Sequence, residues 1–366
     1  MTFDFYMPVQ VFGGEGCLQR HFDKVAALGA RCLIVTGKNG ARQSGALEEL
    51  LHLCAQHGVA AAVFDGIGEN PLCSACTAAA AAAQKADACF IVGIGGGSVM
   101  DAAKVIAWLA SNDANDIEGL YARTLPCAPL PCVLVGTTAG TGSEVTAVSV
   151  LTRDETGRKL SVTDARCYAR YVFADARYTQ SMPPQVAWST ALDALCHAAE
   201  GYLSPFCDDA AALFACRAFE LLGQGMAALL AGQADDVARQ ALLSASLWAG
   251  MVINSQGTAF PHPMGYILTE QFGVPHGKAT AAFLPALLLR AQQHCPQKRA
   301  TLGRCFGEDT LQQVLGRCTL PEISMSPAQV EDCRARLTGC KHYARTPGGF
   351  DADAALALLQ QLFVRE

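Results

Sequence analysis

The chain has 366 residues, of which 51% are hydrophobic and 16% are charged, and its formal net charge is −6. This length allows two domains with sizeable cores. The acidic balance, with no run of Lys and Arg, argues against a nucleic acid partner. No uncharged apolar run reaches the roughly 20 residues of a membrane span, and no secretory signal opens the sequence, so we expect a cytoplasmic protein without a membrane partner.

The 17 cysteines are expected to be reduced thiols that pack as small apolar residues. Cys73 and Cys76 form the only C-x-x-C pair. A structural zinc site needs a second such pair, so we interpret this one as part of a helix.

The first half alternates short apolar runs, rich in β-branched residues, with helical segments. This order predicts a parallel sheet that is covered on both faces. Residues 5–12 predict an edge strand or a hairpin, and Asn70 is predicted to cap a helix that opens at Pro71. We predict strands at 31–36, 59–65, 89–93 and 131–136, and further helices at 44–57 and 98–109.

From about residue 183 onward, long Ala- and Leu-rich helical segments follow one another with few strand signals. We therefore predict an α/β domain over residues 1–182 and an all-helical domain over residues 183–366.

Four residues of the second half form a candidate metal site. Asp193 and His197 are four apart in a predicted helix and so share one face. His262 and His276 follow in two segments marked by Pro and Gly. One carboxylate and three imidazoles suit a divalent transition metal such as Fe²⁺, Zn²⁺, Mn²⁺ or Ni²⁺. Asp193 and His197 alone fit a pair on a helix surface equally well.

The other five histidines occur singly, which is typical of hydrogen-bonded core residues rather than ligands. They are His21, His52, His57, His294 and His342.

Two loops rich in small residues follow predicted strands, at 93–98 and at 136–144. Glycines let backbone N–H groups approach a ligand closely, and a helix N-terminus favours an anion such as a pyrophosphate. The first loop also fits a tight strand-to-helix turn that requires small residues. Its position after the third strand differs from the usual dinucleotide fingerprint, which follows the first strand.

Four segments, in this order, resemble the motifs of the iron-containing (group III) alcohol dehydrogenases. They are GIGGGSVMDAAK at 93–104, GTTAGTGSEVT at 136–146, DALCHAAEGY at 193–202 and HPMGYILTEQFGVPHG at 262–277. The resemblance covers nearly the whole chain and is greatest to the 1,3-propanediol and butanol dehydrogenase-like branch.

This resemblance implies a dehydroquinate synthase-like architecture, in which a parallel-sheet nucleotide-binding domain precedes an all-helical metal-binding domain. It implies an enzyme that transfers hydride between NAD(P)(H) and a small primary alcohol, diol or aldehyde, with Fe²⁺ bound by Asp193, His197, His262 and His276, and it suggests a homodimer. It further implies that Asp101 and Lys104 support the first glycine loop. The positions that match the family's cofactor site are Asn70, Gly95, Gly96, Gly97, Ser98, Asp101, Thr137, Thr138, Thr141, Ser143, Thr146, Val148, Lys159, Tyr178 and Met182.

The residues after the first predicted strand bear on the choice of cofactor. Where NAD-preferring members carry an Asp, this chain has Gly37, followed by Lys38 and Asn39. Loss of the carboxylate and gain of a cation favour a 2′-phosphate, so we predict NADP(H) over NAD(H). Asp65, at the end of the second strand, is the residue that would oppose this choice.

The chain departs from the family pattern at three positions. Val99 replaces the usual Pro of the glycine loop, and Tyr266 replaces a His that many members carry. Pro263 disfavours helical backbone at His262, so we expect a kink there. Val148 and Phe260 predict an apolar cleft for small unbranched substrates.

Two other classes of function compete with the dehydrogenase. One is a non-redox lyase of the dehydroquinate synthase type, which needs basic residues near its metal. The other is a non-catalytic nucleotide-binding sensor. The Ala, Leu, Thr and Phe around the ligands argue against the first, and the intact ligand set argues against the second.

Overall fold

The computed structural model describes residues 2–365, which form two compact units. The sheet unit comprises residues 6–187 and 235–247, and the helical unit comprises 2–5, 188–234 and 248–365 of the described chain. The segment 235–247 differs from the predicted division, because it packs with the sheet unit. There the amide N–H of Gly142 donates to Ser246 Oγ at 3.2 Å, and Arg239 donates to the Thr179 carbonyl at 2.6 Å.

The sheet unit is built on a parallel sheet, as predicted. The sheet has six strands in the order β1-β8-β5-β4-β2-β3, of which β8 was not predicted. A separate antiparallel pair, β6 and β7, was not predicted. The strands are β1 Gln10–Gly13, β2 Arg31–Thr36, β3 Ala60–Phe64, β4 Phe90–Gly95, β5 Cys132–Gly136, β6 Val148–Thr152, β7 Lys159–Thr163 and β8 Tyr171–Ala174.

Helices cover both faces of this sheet. The helices of the sheet unit's main segment are α1 Cys17–Arg20, α2 Phe22–Ala26, α3 Gly40–Gln43, α4 Ala46–Gln56, α5 Cys73–Lys85, α6 Gly97–Ala110 and α7 Ile117–Ala122. The helices that follow in the chain are α8 Pro184–Leu203, α9 Asp209–Leu230, α10 Asp236–Gln256, α11 Pro261–Phe272, α12 His276–Ala281, α13 Leu284–His294, α14 Pro296–Phe306, α15 Glu308–Leu315, α16 Pro327–Asp332, α17 Arg334–Leu337 and α18 Ala352–Phe363.

The period of two along each strand divides the core into two layers. Leu33 and Val35 of β2 pack with α5 and α6 on one face of the sheet. Cys32 and Ile34, which alternate with them, pack with α4 on the other face. Because both faces are buried, the strands are continuous apolar runs, which is why they were recognisable in the sequence.

Two local predictions for the sheet unit need correction. The segment predicted at 5–12 forms only β1, an edge strand that pairs in parallel with β8, so the hairpin is wrong. Asn70 does not cap a helix: its φ is 55°, and Leu72 precedes the first residue of α5. The positive φ of Asn70 turns the chain before the helix begins.

All 17 cysteines are free thiols, and Cys73 and Cys76 are buried within α5, as the helical interpretation predicts.

Among the described residues, one helix of the helical unit, α9, has the length and hydropathy of a membrane span. Core helices of soluble proteins have the same properties. Helix α9 packs closely on α14, where a Cβ on Gly223 would lie 2.0 Å from the Phe306 carbonyl oxygen. This contact places α9 against α14 within the helical unit.

Candidate functional site

The four predicted metal ligands all belong to the helical unit. Helix α8 carries Asp193 and His197 one turn apart on its buried face. His262 is the second residue of α11, and His276 is the first residue of α12. The first turns of α11 and α12 therefore each direct a histidine side chain at the middle of α8.

These side chains converge on one carboxylate oxygen. Oδ1 of Asp193 lies 3.8 Å from Nε2 of His197, 3.8 Å from Nε2 of His262 and 3.7 Å from Nε2 of His276. Two ligands of one ion, at bond lengths of about 2.1 Å, lie no more than about 4.2 Å apart. All three separations meet this condition, so the donor set fits a divalent transition metal.

The four donors are not equivalent. Asp193, His262 and His276 each offer one ligand atom, and these atoms all lie within 4.8 Å of one another. His197 lies beside this group, with its ring stacked on His262 at 4.6 Å between centroids and 20° between planes. The geometry thus defines a three-residue core, and His197 adjoins it through Asp193 and His262.

Sequence reasoning missed Glu200, which is fully buried one turn after His197 on α8. Its Oε1 lies 2.6 Å from Nδ1 of His262, and its Oε2 accepts the amide N–H of Ala259 at 2.7 Å. Histidines that bind metals usually donate their second ring N–H to such a carboxylate. The spacing of Glu200, seven residues after Asp193 on the same helix face, was the available signal.

Two glycines allow the three helices to meet. A Cβ on Gly277 would lie 1.8 Å from the carbonyl oxygen of Ser189 and 3.1 Å from Cβ of Asp193. A Cβ on Gly265 would lie 2.6 Å from Oγ1 of Thr280. Any side chain at either position would push α12 away from α8 or α11, and His276 would move with it.

The kink expected at His262 is absent. Helix α11 begins at Pro261, so both flanking prolines lie in its first turn. Backbone N–H groups there have no acceptor within the helix, so proline costs no hydrogen bond. His262 is 3% exposed and well placed in the cluster.

The remaining histidines do not join the cluster. Nδ1 of His342 lies 3.0 Å from Oγ1 of Thr258, and burial lowers the pKa of this half-buried imidazole to about 4. His52, His57 and His294 are exposed, so the expectation that they are core residues is wrong. His21 is half-buried and stacks on Phe12 at 4.3 Å between centroids.

In the sheet unit, the predicted cofactor residues follow the carboxyl ends of adjacent parallel strands. Gly37 follows β2, the loop of Gly95, Gly96, Gly97 and Ser98 spans the junction of β4 and α6, and Thr137 follows β5. The chain order reverses between β2 and β4, the switch point where such sheets bind ligands. A Cβ on Gly37 would lie 3.9 Å from Val99, so these two loops are neighbours.

The two glycine- and threonine-rich loops pack directly on each other. A Cβ on Gly96 would lie 2.9 Å from Oγ1 of Thr138, and a Cβ on Gly97 would lie 2.4 Å from Cγ2 of Thr141. Glycine is therefore required here by the neighbouring loop, in addition to any ligand. The start of α6 carries no side-chain cap, so its first N–H groups can serve an anion.

Lys104 and Asp101 fasten the second loop to α6, whereas the resemblance implied that they support the first glycine loop. The buried ammonium of Lys104 donates to Ser143 Oγ at 2.7 Å, to Thr146 Oγ1 at 3.3 Å and to the Val148 carbonyl at 2.8 Å. Asp101 accepts from Ser143 Oγ at 2.5 Å. Burial lowers the pKa of Lys104, and Asp101, 3.8 Å away, opposes that shift.

The other candidate positions differ in accessibility. Lys38 and Asn39 are exposed after β2, and the amide N–H of Asn70 donates to Ser98 Oγ at 3.3 Å. Lys159 begins β7 and is half-buried, and Met182 is 9% exposed just before α8. The ring of Tyr178 is buried in the core layer beside α4, and burial raises its pKa.

Comparison with known proteins agrees with this arrangement. Residues 8–176 match the family model of the iron-containing alcohol dehydrogenases, and residues 187–319 match that of the C-terminal part of the same family. The chain belongs to the iron-containing alcohol dehydrogenase family. It is accordingly an oxidoreductase of the alcohol dehydrogenase type.

Individual proteins match almost the whole chain. The 1,3-propanediol dehydrogenase of Klebsiella pneumoniae is 30% identical over 353 residues, which is 96% of this chain and 90% of that protein. The crystal structure of an iron-containing alcohol dehydrogenase from Thermotoga maritima is 34% identical, with a TM-score of 0.89 and 99% of each chain covered. That of sulfoacetaldehyde reductase from Bifidobacterium kashiwanohense, in complex with NAD+, is 26% identical, with a TM-score of 0.89 and 100% of each chain covered.

Proposed function

We propose that this member of the iron-containing alcohol dehydrogenases is an Fe²⁺-dependent enzyme that prefers NADP(H). It interconverts small primary alcohols or diols with their aldehydes. The observation that carries the proposal is Oδ1 of Asp193, which has three imidazole Nε2 atoms within 3.8 Å.

Asp193, His262 and His276, with His197 beside them, are the residues proposed to hold the ion. A divalent ion supplies Lewis acidity that polarises an alcohol or carbonyl oxygen. Glu200 keeps Nδ1 of His262 occupied and thereby turns Nε2 toward Asp193. The ligand types also accept Zn²⁺, so zinc in a purified sample is compatible with iron as the active ion.

The proposed cofactor sites are the glycine loop and the residues after β2. The N–H groups at the start of α6 are suited to the pyrophosphate. Gly37 supplies no carboxylate to repel a 2′-phosphate, and the exposed Lys38 supplies a cation beside it. Asp65 is also exposed, at the end of the neighbouring β3, and it is the group that opposes this preference.

The proposed substrate class rests on the apolar residues of the motifs and on the relatives. The 1,3-propanediol dehydrogenase named above supports small alcohols and diols. Phe260, expected to line the substrate space, is fully buried and stacks on Phe350 at 4.2 Å between centroids. Its ring packs in the core, whereas Val148 is half-buried.

Family membership supports the dehydrogenase over the lyase and over the sensor. We further propose a cytoplasmic homodimer, with no nucleic acid or membrane partner. The edge strand β1 supports the dimer, because pairing across an interface would cover an open sheet edge.

The decisive experiment is NADPH oxidation by anaerobically purified, Fe²⁺-loaded protein with C3–C5 aldehydes. NADH and a His276→Ala variant are run alongside. We expect turnover with NADPH that disappears in the variant. Turnover with NADH alone would contradict the NADP(H) preference, and equal turnover by the variant would contradict the metal centre.

The role of residue 37 is tested by Gly37→Asp. A Cβ at this position would lie 3.1 Å from the Ile67 carbonyl oxygen, so the site can accept a side chain with a small adjustment. We expect the ratio of kcat/KM for NADPH to that for NADH to fall about tenfold or more, because a carboxylate repels the 2′-phosphate. An unchanged ratio would show that this position does not select the cofactor.

A further inference from the structure

We infer that Tyr266 is a positioning residue for His276, and that it sets the orientation of this imidazole by ring stacking. The inference rests on the proposed metal centre and deepens it. It concerns a position where this chain departs from the pattern that led to the ligand assignment.

The two rings are stacked. Their centroids lie 5.2 Å apart, and their planes are inclined by 21°. Tyr266 lies on α11 one turn after His262, and His276 opens α12. Helix α11 therefore contributes His262 to the cluster, and its Tyr266 supports His276, which belongs to α12.

The close approach of α11 and α12 makes the stack possible. Gly265 precedes Tyr266, and a Cβ there would lie 2.8 Å from Cα of Thr280 on α12. With glycine at this position, the ring of Tyr266 reaches the imidazole at the beginning of α12. Gly265 thus allows α11 and α12 to approach each other, and the adjacent Tyr266 stacks on His276.

His276 requires such support more than its neighbours do. Its side chain is 25% exposed, whereas those of His262 and His197 are 4% and 8% exposed. The torsion between Cβ and the ring of a histidine is soft, with no sharp staggered minima. Rotation about this bond displaces Nε2, the atom that faces Asp193. A nearly parallel tyrosine ring restricts that rotation, as the contact between Nδ1 and Oε1 of Glu200 does for His262.

The size of the effect follows from the strength of aromatic pairs. A stacked pair changes an equilibrium by about twofold to tenfold beyond the area that it buries. We therefore expect loss of the tyrosine ring to weaken metal binding by about twofold to tenfold. The hydroxyl is not needed for this role, so phenylalanine should replace tyrosine.

The test compares three variants by titrating the metal-free protein anaerobically with Co²⁺ alone. Tyr266→Leu removes the ring, and Tyr266→Phe keeps it. Phe272→Leu removes an aromatic ring from the last turn of the same helix and is the matched control. The readouts are the Kd and the visible absorption spectrum of bound Co²⁺, together with the Tm of the metal-free protein.

We expect Tyr266→Leu to raise the Kd for Co²⁺ and to alter the absorption spectrum of bound Co²⁺. Tyr266→Phe and Phe272→Leu should have the same Kd and the same spectrum as the wild type. Equal affinity and an equal spectrum in Tyr266→Leu and Tyr266→Phe would overturn the inference. If Tyr266→Leu lowers the Tm of the metal-free protein more than the control, Tyr266→Met provides a second ringless variant for the same comparison. Failure of the wild type to bind Co²⁺ would instead overturn the proposed metal centre, and with it the role of Tyr266.

Discussion

At the scale of single residues, Glu200 determines which nitrogen of His262 faces the cluster. Oε1 of Glu200 lies 2.6 Å from Nδ1, and when this carboxylate is ionised it accepts the Nδ1 proton and leaves the Nε2 lone pair toward Asp193. Burial raises the pKa of Glu200 well above its ordinary value, and the nearby His197 and the amide of Ala259 oppose that shift. The motif DALCHAAE therefore encodes two candidate ligands and the group that orients a third.

Replacing Glu200 by Gln is expected to weaken metal binding by about 10- to 100-fold, the usual loss when a partner of a ligating histidine is changed. The side-chain NH₂ of the new glutamine can only donate, yet it would have to face either the Ala259 N–H or the Nδ1 proton of His262. Both of these groups are donors, so one hydrogen bond of Glu200 is lost. The measurement is Co²⁺ or Zn²⁺ affinity by calorimetry. Glu220→Gln, an exposed change on α9, is the control, and equal affinities in the two variants would contradict the orienting role.

At the scale of elements, the junction of β4 and α6 depends on the loop that follows β5. Gly96 and Gly97 contact Thr138 and Thr141, while Lys104, two turns along α6, holds that second loop in place. The candidate nucleotide site is therefore a pair of loops whose shapes depend on each other.

Gly97→Ala is expected to separate these loops, because the new Cβ would lie 2.4 Å from Cγ2 of Thr141. Such overpacking costs about 1–3 kcal/mol and displaces the N–H groups at the start of α6. We expect the Kd for NADPH, measured by fluorescence titration, to rise about tenfold or more. Gly13→Ala, whose Cβ would meet nothing within 4 Å, should bind as the wild type does. Equal affinities would show that the loop contact is not needed.

At the scale of the whole molecule, ionisable groups that are buried in the cores contribute to the dependence of stability on pH. Glu144 is 1% exposed, and its Oε2 has no hydrogen-bond partner among the described residues. Burial raises its pKa from about 4.5 to about 7, although Lys104 lies close enough to oppose the shift and Asp101 to add to it. Glu144 is thus neutral in the folded protein at pH values where it is ionised in the unfolded chain.

This shift sets the sign of the pH dependence. Between about pH 4.5 and 7 the folded state binds the proton and the unfolded state does not, so the free energy of unfolding falls as pH rises. The loss is complete above pH 7 and amounts to about 3 kcal/mol. Glu144→Gln should remove this part of the dependence and stabilise the protein at pH 8.5 but not at pH 5.

Urea unfolding of the reduced, metal-free protein at both pH values measures the difference, with the exposed Glu155→Gln as control. Identical pH profiles for the wild type and Glu144→Gln would show that Glu144 is not the group responsible.

The sequence predicted those features that depend on short-range pattern. Strand β2 was predicted with its observed bounds, because both its faces are buried and its residues form one apolar run. Strands β6 to β8 were missed. In β7, exposed or half-buried residues interrupt the apolar pattern, as at Lys159 and Leu160, and β8 is only four residues long. The cap at Asn70 was wrong because this residue has a positive φ, and α5 begins only after Leu72.

The sequence by itself determined the types of donor, their assignment to helices and the family to which the chain belongs, because each depends on residue identity and spacing along the chain. Only the tertiary structure decided the contacts between segments far apart in sequence. It placed Glu200 on His262, Tyr266 on His276 and Gly277 against Ser189. Such contacts depend on how helices cross, which the period of a single helix does not specify.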